Sequence, residues 1–190
     1  MNGKGWLKVP GIRPDGDRTL EEQMLGILPA LLECAGKSVL DLGCAEGLIG
    51  AEFAKAGASR VVGIELLETH LQVARLACKD IKNISFICAN LAEWIAHHEE
   101  PEQFDIVLAL GIIHKLRDPA VPLEFAARSA KSLVLFRAPA HETDGRIYSK
   151  HGGTECNVPQ VMKRCGFVEE KKIAGVRGEA VQYWRRKDRS

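Results

Sequence analysis

The sequence predicts a doubly wound α/β domain built on a mostly parallel, seven-stranded sheet, and three observations predict it. Apolar runs typical of strands alternate with segments of helical periodicity from residue 38 to residue 137. The run 104–110 is apolar at nearly every position, as expected when helices cover both faces of a parallel sheet. Two strand-like runs near the end, 169–176 and 179–184, are close enough in sequence to form an antiparallel pair.

Each predicted element has its own boundary signal. Thr19 can cap a first helix, Gly36 ends that helix, and Pro29 is expected to kink it. Arg177 and Gly178 form the turn between the last two strands. The other strands are predicted over 38–42, 60–65, 84–88 and 132–137. The other helices are predicted over 46–56, 67–78, 91–98, 122–130 and 158–165.

Composition and charge narrow the class of protein. The chain has 190 residues, 46% of them hydrophobic, which suits one domain with a sizeable core and excludes a disordered or fibrous chain. We expect residues 1–18 to form an irregular N-terminal arm and residues 19–190 to form the domain. The net charge of +1 indicates no global attraction to nucleic acid or membranes. Without an apolar signal segment or membrane span, a cytoplasmic protein is expected, and its oligomeric state is left open.

Residues 38–50 combine a strand with a glycine-turned loop. Gly43 permits a tight turn directly after the strand, and the small residues Ala45 and Gly47 let a ligand approach the backbone. The helix after this loop offers unpaired N–H groups at its N-terminus. Asp41 lies where a carboxylate can receive the ammonium group of a ligand. An acidic group disfavours a pyrophosphate at the same place.

Glu65 ends the second predicted strand, where a carboxylate can accept both hydroxyls of a ribose. The alternative is an ordinary carboxylate at a helix N-terminus, which the helix dipole favours. After the preceding glycine loop, the ligand-binding interpretation leads. A nicotinamide-dependent oxidoreductase is a competing class, but it predicts a G-x-G-x-x-G loop that Gly43 to Gly47 does not supply.

These segments resemble the motifs of class I S-adenosylmethionine-dependent methyltransferases. Residues 38–50 are similar to motif I, with Ala45 in place of the usual middle glycine, and Val61 to Glu65 is similar to the motif with the ribose-binding acid. Asn90 and Leu91 resemble the segment that brackets adenine, and residues 104–119 resemble motif IV and the segment after it. The resemblance spans roughly residues 20–185. It implies a Rossmann-like sheet in which the last strand inserts antiparallel.

The resemblance also implies S-adenosylmethionine as cofactor and a set of contacts to it. The implied cofactor-binding residues are Asp41, Gly43, Cys44, Ala45, Glu46, Gly47, Glu65, Leu66, Asn90, Leu91 and Leu110. A second, weaker resemblance is to proteins like the tRNA wobble-uridine carboxymethyl-transferring family. It rests on residues 110–119, 157–159 and 163–167. The methyl acceptor is therefore expected to be RNA or a small molecule.

The segment after the fourth strand supplies the catalytic candidates. His114 is the best general base, although a histidine that packs over the cofactor or caps a backbone group is an equal alternative. Arg117 can orient an anionic substrate, although a surface loop arginine is the commoner outcome. The segment contains no Asn/Asp-Pro-Pro-Tyr/Phe run, which disfavours methylation of nucleic-acid amino groups. It also lacks a Pro-Cys pair, which excludes the covalent mechanism at pyrimidine C5.

Two further segments are candidates for the substrate side. A polar cluster after the fifth strand can form a substrate wall; it comprises His141, Glu142, Asp144, Tyr148 and His151. A metal site there matches no established ligand spacing, and none is expected. The N-terminal arm, with Trp6 and three basic residues, can fold across the cofactor mouth as a lid or order only with substrate.

The main alternative function is a non-catalytic cofactor-binding or partner-activating module. Asp41 and Glu65 would serve equally well there, so the substrate side discriminates between the two. The alternative gains if His114, Arg117, Tyr148 and His151 do not converge on the donor methyl group.

Overall fold

The computed structural model describes residues 5–140, 142, 144–151 and 153–187. Its strands are β1 (Ser38–Leu42), β2 (Arg60–Glu65), β3 (Ile84–Cys88), β4 (Phe104–Leu110), β5 (Ala130–Ala138), β6 (Arg146–Tyr148), β7 (Glu155–Asn157), β8 (Phe167–Ala174) and β9 (Ala180–Arg186). The helices are α1 (Leu20–Met24), α2 (Leu28–Leu32), α3 (Leu48–Lys55), α4 (Glu68–Ala77), α5 (Leu91–Ala96), α6 (Ala120–Ser129) and α7 (Val158–Arg164). Seven of these strands form one sheet in the order β3-β2-β1-β4-β5-β9-β8.

The topology is that of the predicted α/β class. Strands β1 to β5 pair in parallel, whereas β9 inserts between β5 and β8 and is antiparallel to both. The predicted bounds of β1, β2, β3 and β4 agree with the observed ones at both ends. The apolar character of β1, β2 and β4 identified them because helices bury both faces of these strands, whereas the edge strand β3 is only partly buried. The prediction of a mostly parallel sheet with an antiparallel last strand is confirmed.

The sheet separates two apolar layers. Alternate residues of each strand point to opposite faces, so Leu40 and Leu42 join the cluster beneath α5, α6 and α7. Val39 joins the cluster beneath α2 and α3 on the other face. Asp41 points to the same side as Val39, because the two are two residues apart in one strand. This alternation puts a buried carboxylate directly under the loop after β1.

The first helical segment differs from its prediction. It forms two short helices, α1 and α2, with the break at Gly26, whose φ is 80°. Pro29 lies in the first turn of α2, where its missing N–H costs no hydrogen bond, so the expected kink at Pro29 is wrong. Thr19 caps α1 as predicted, and its hydroxyl accepts the N–H of Glu22 at 3.2 Å.

Two local elements were not anticipated. Strands β6 and β7 form a small antiparallel pair. Ile113–Lys115 forms a single 3₁₀ turn after β4. The two are joined, since the N–H of Lys150 donates to the carbonyl of His114 at 2.9 Å. The segment after β5 that carries the polar cluster therefore contacts the turn at the end of β4.

Candidate cofactor site

A groove opens at the carboxyl ends of β1, β2 and β4. It contains a larger cavity of about 320 Å³ and a smaller one of about 80 Å³. The larger one falls within the ~300–1,000 Å³ typical of small-molecule sites. Both cavities are lined by Gly43, Glu65, Leu66, Ile112 and Leu116, so they form one continuous site. Ligands of open α/β sheets bind at this edge, where the strand order reverses.

Each cavity has further lining residues of its own. The larger cavity adds Trp6, Ala45, Leu67, His70, Leu110, Gly111 and Lys115. The smaller cavity adds Ile64, Ala89, Asn90 and Leu91. The groove therefore brings together seven of the eleven residues predicted to bind the cofactor: Gly43, Ala45, Glu65, Leu66, Asn90, Leu91 and Leu110.

The loop after β1 turns sharply beside the groove. Gly43 has a φ of 74°, and a Cβ at this position would lie 2.8 Å from a side-chain carbon of Ile112. Only glycine fits this conformation without strain. Ala45 also has a positive φ, of 47°. The N–H groups of Gly43 and Cys44 both donate to the carbonyl of Ile64, at 2.8 and 3.0 Å, which holds the loop against β2.

Glu65 organises the centre of the groove. Its Oε2 accepts the N–H of Ala45 at 3.0 Å, and its Oε1 accepts the N–H of Leu67 at 3.0 Å. One carboxylate therefore joins the loop after β1 to the loop after β2. An ionised carboxylate offers about four lone-pair sites, so Glu65 retains capacity to accept hydroxyl donors from a ligand.

Asp41 lies beneath the loop and does not line the groove. The residue is 3% exposed, and its Oδ2 has no hydrogen-bond partner among the described residues. Burial raises the pKa of Asp41 to about 7, the negative charge of Glu65 adds to the rise, and the Arg137 guanidinium opposes it. A buried carboxylate oxygen without a donor is costly, so a donor from a ligand or a bridging water would stabilise this site.

Three other predicted contacts face away from the groove. Cys44 is buried, with its Sγ toward Gly63, and burial raises the pKa of its thiol far above the usual range. Gly47 has a φ of 70°, and a Cβ there would lie 2.6 Å from the ring of Phe86. Glu46 is completely buried and accepts hydrogen bonds from the N-terminal arm. These three residues shape the loop from behind.

Asn90 has two structural roles. It lines the smaller cavity, and its Oδ1 accepts the N–H of Ala92 at 3.0 Å, which caps α5. Its neighbour Leu91 is buried and contributes an apolar wall to the same cavity. The smaller cavity is thus bounded by a helix N-terminus and apolar side chains, an environment suited to a flat heterocycle.

The predicted acceptor-side residues do not converge on the groove. His114 is buried within the 3₁₀ turn and is not among the lining residues. Arg117, Tyr148 and His151 line neither cavity, and all three are exposed. The catalytic roles of His114 and Arg117 therefore stay predictions.

Lys115 is a titratable cation in the groove that the sequence did not single out. It lines the larger cavity, and its Nζ lies 4.3 Å from the ring centroid of Trp6. Burial lowers the pKa of Lys115; the charges of Lys150 and Arg18 act in the same direction, and that of Glu65 opposes them. The one feature of the sequence that pointed to Lys115 as a site residue was its position next to His114. The rotation of a single 3₁₀ turn decides which neighbour faces a groove, and sequence does not specify it.

The described residues also bear on metal binding and on membrane-spanning helices. They contain no group of three or more His, Cys, Asp or Glu side chains that could hold a metal ion. His141, which belonged to the polar cluster, lies outside the described residues. No helix in the described part of the chain is long and apolar enough to cross a membrane.

Comparison with known families decides the class of protein. A family model described as a methyltransferase domain matches residues 34–171, which include the loop after β1, Glu65 and the 3₁₀ turn. The chain belongs to this family. Its sheet order and motifs make it a class I methyltransferase, and the cofactor of the family is S-adenosylmethionine. The methyltransferase prediction is confirmed, and the oxidoreductase alternative is not supported.

Curated relatives give a narrower comparison. The chain is 32% identical over 101 residues to a ubiquinone biosynthesis O-methyltransferase of Neisseria meningitidis serogroup A; the match covers 52% of this chain and 42% of that protein. It is 36% identical over 97 residues to the protein of the same name from Idiomarina loihiensis, covering 50% and 39%. The chain thus matches about two fifths of the length of these relatives.

Solved structures show the same fold at low identity. A magnesium protoporphyrin IX methyltransferase from Synechocystis, crystallised with S-adenosylhomocysteine, superposes with a TM-score of 0.68 at 16% identity. That match covers 88% of this chain and 84% of the other. An S-adenosylmethionine-dependent methyltransferase from Aquifex aeolicus has a TM-score of 0.60 at 18% identity, covering 84% and 87%.

The residues present fit the cofactor of the family. The buried Asp41 carboxylate has an oxygen without a donor among the described residues, and the positive φ angles of Gly43 and Ala45 bring bare backbone to the groove. Glu65 ends β2 and lines both cavities, so its carboxylate can accept the hydroxyls of a ribose. Two cavities of unequal size accommodate a ligand with an amino-acid end and a heterocyclic end.

Proposed function

We propose that the protein transfers the methyl group of S-adenosylmethionine to a hydroxyl oxygen of a small molecule. The continuous groove at the strand ends, centred on Glu65, is the observation that carries this proposal. The O-methyltransferase names of the partial relatives support an oxygen acceptor. When bound, the cofactor supplies a methyl group on a sulfonium, and the reaction leaves S-adenosylhomocysteine.

The groove divides the cofactor contacts between its two ends. Asn90 and Leu91 bound the smaller cavity, which suits adenine, and Glu65 accepts the ribose hydroxyls between the cavities. Gly43 and Leu110 line the larger cavity, where the amino-acid end and the methyl group lie. Cys44, Ala45, Glu46, Gly47, Leu66 and Asp41 complete the proposed set, several of them by shaping the loop rather than by contact.

Oxygen methylation requires that a proton leave. As the new O–C bond forms and the C–S bond breaks, sulfur keeps the electron pair and the acceptor hydroxyl releases its proton to a base. The neutral amine of Lys115 is the base that the geometry favours, because Lys115 lines the larger cavity and burial, which lowers its pKa, favours the neutral form. Positioning the hydroxyl in line with the methyl group accounts for most of the remaining rate enhancement.

Calorimetric titration followed by an acceptor screen tests the proposal. Wild-type protein should bind S-adenosylmethionine and S-adenosylhomocysteine but not NAD, and Glu65→Ala should weaken both by about tenfold or more, since it removes charge-assisted hydrogen bonds. The screen measures labelled-methyl transfer to phenols, aliphatic alcohols, RNA and protein. Lys115→Met should lower turnover of a hydroxyl acceptor by a much larger factor than it weakens S-adenosylhomocysteine affinity.

Each outcome has one meaning. Failure to bind S-adenosylhomocysteine would overturn the cofactor assignment. Transfer to RNA alone would overturn the small-molecule acceptor and favour the tRNA-modifying resemblance. Binding without transfer to any acceptor would favour the non-catalytic module. A loss of turnover in His114→Asn that Lys115→Met does not show would return the base to His114.

A further inference from the structure

The N-terminal arm folds back on itself before it reaches α1. The N–H of Lys8 donates to the carbonyl of Arg18 at 2.8 Å, and the N–H of Arg18 donates to the carbonyl of Trp6 at 3.1 Å. Leu7 and Val9 are 2% and 4% exposed, so the arm contributes to the apolar interior. The arm therefore packs against the domain, through turns and isolated bridges within residues 5–18.

Glu46 fixes the arm to the cofactor loop. Its Oε1 accepts the N–H of Trp6 and its Oε2 accepts the N–H of Leu7, both at 2.9 Å, and Arg13 Nη1 lies 3.4 Å from Oε1. The side chain is 0% exposed. A buried carboxylate is tolerated only when donors satisfy it, and two consecutive backbone N–H groups do so here. The hydrogen bond to Glu46 thus fixes the position of the Trp6 backbone next to the loop after β1.

Trp6 is part of the wall of the larger cavity. It lines that cavity together with Gly43 and Leu110. Two cations contact the ring: Lys115 Nζ lies 4.3 Å from its centroid and Arg18 Cζ lies 4.8 Å from it. Such cation–π contacts favour one position of the ring. Trp6 and Lys115 thereby meet across the groove, one from the arm and one from the 3₁₀ turn.

We propose that Trp6 is a site residue that covers the amino-acid end of the bound cofactor, and that Glu46 is the positioning residue that holds it there. This inference rests on the proposed function. The indole buries apolar surface against the cofactor and keeps water from the larger cavity, which stabilises the bound state. Glu46 belongs to the loop after β1, which contacts the cofactor. The Glu46 side chain therefore fixes the position of the Trp6 indole relative to this loop.

The test measures dissociation of S-adenosylhomocysteine from the full chain by stopped-flow displacement. Trp6→Ala should raise the dissociation rate by about tenfold, while Trp6→Phe, which keeps an aromatic cover, should stay near wild type. Glu46→Gln should also raise it, because an amide can accept only one of the two N–H groups and directs its own donors at the other. Association rates should change little.

A matched control and a second readout separate positioning from general destabilisation. Arg60→Gln removes an exposed ion pair remote from the arm and should leave dissociation unchanged. Tryptic cleavage after Lys8 should accelerate in Glu46→Gln, and S-adenosylhomocysteine should slow it in wild type. Trp6→Ala keeps the hydrogen bonds to Glu46, so it decides the proposal even if Glu46→Gln does not fold.

The outcomes distinguish the two proposals. If wild type does not bind S-adenosylhomocysteine, the proposed function fails and this inference fails with it. If wild type binds and both Trp6→Ala and Glu46→Gln dissociate at the wild-type rate, only the role of Trp6 and Glu46 is overturned. A similar acceleration in Trp6→Ala and Trp6→Phe would also overturn it, since the aromatic cover would then have no effect.

Discussion

At the scale of single residues, Asp41 in β1 and Glu46 in the loop after β1 are both buried acids, but their carboxylates differ in their hydrogen bonds. Glu46 is buried and satisfied by two backbone N–H groups, whereas the Oδ2 of buried Asp41 has no partner among the described residues. The first group stabilises the fold, and the second costs free energy that a bound ligand or water would recover. A strained or unsatisfied group at a binding site is a common compromise between stability and function.

Burial of the Asp41 carboxylate predicts a specific pH dependence of the free energy of unfolding. Its pKa is about 7 in the folded state, against about 3.9 for an unfolded chain, so the folded protein holds a proton that the unfolded protein releases. The Asp41 contribution to the free energy of unfolding therefore falls as pH rises from about 4 to about 7. Asp41→Asn should remove this loss and be more stable than wild type by about 2–4 kcal/mol at pH 8.

Urea unfolding at pH 4.5 and pH 8 measures this difference. The two proteins should be close in stability at pH 4.5 and diverge at pH 8. Asp80→Asn is the matched control, because Asp80 is exposed and the same substitution there should follow the wild-type curve. An Asp41→Asn variant that is less stable than wild type at pH 8 would show that the ionised carboxylate has a donor in the folded protein.

At the scale of elements, the break between α1 and α2 is decided by contacts with the distant strand β9. Gly26 has a φ of 80°, and a Cβ there would lie 2.9 Å from Val181 Cγ2. Its carbonyl accepts the hydroxyl of Tyr183 at 2.7 Å. The apolar spacing of residues 20–32 favoured a continuous helix. Such periodicity shows which face of a helix is buried, but it does not show where a contact with a distant strand interrupts the helix. The close approach of β9 requires the chain to turn here instead.

Substitution of Gly26 tests this explanation against a matched glycine. Gly26→Ala should destabilise the protein by about 2–4 kcal/mol, from left-handed backbone strain plus the clash with Val181. Gly36→Ala shares the left-handed φ, at 74°, but its Cβ would meet nothing within 4 Å, so it should cost only about 1–2 kcal/mol. Equal losses in chemical denaturation would contradict the role of β9.

At the scale of the whole molecule, a buried charged chain joins the arm, β5 and the segment before β9. Arg18 donates to both carboxylate oxygens of Glu179, at 3.1 and 2.9 Å, and Arg137 Nε lies 3.9 Å from the same carboxylate. Arg137 also donates to the side chain and carbonyl of Gln23. Burial lowers the pKa of Arg137 to about 10, with Glu179 acting against the fall. These partners are far apart in sequence, so only the complete fold assembles them.

Removal of the central carboxylate should therefore weaken the whole fold. Glu179→Gln leaves the buried Arg137 cation with less compensation and should destabilise by about 3 kcal/mol. Glu102→Gln breaks an ion pair with Arg60 in which both side chains are more than half exposed, and it should change stability little. Thermal unfolding of both variants measures the contrast, and a similar effect from the two substitutions would contradict it.

The sequence by itself determined the sheet and the place of the site. The bounds of β1 to β4, the glycine turn at Gly43 and the acid at Glu65 were readable, because apolar runs, positive-φ glycines and strand-end carboxylates are local signals. They also predicted the cofactor class, and seven of the eleven predicted contacts line the groove.

Only the tertiary structure decided what faces the groove. In the folded protein, Glu46 accepts hydrogen bonds from the arm and Lys115 lines the larger cavity. Trp6 lines the same cavity, although Trp6 and Glu46 are 40 residues apart in the chain. The reason is physical: a local pattern specifies which residues are buried, but not which distant partner satisfies a buried charge. The orientation of a single turn, and the donors that reach a buried carboxylate, follow from packing of the complete chain.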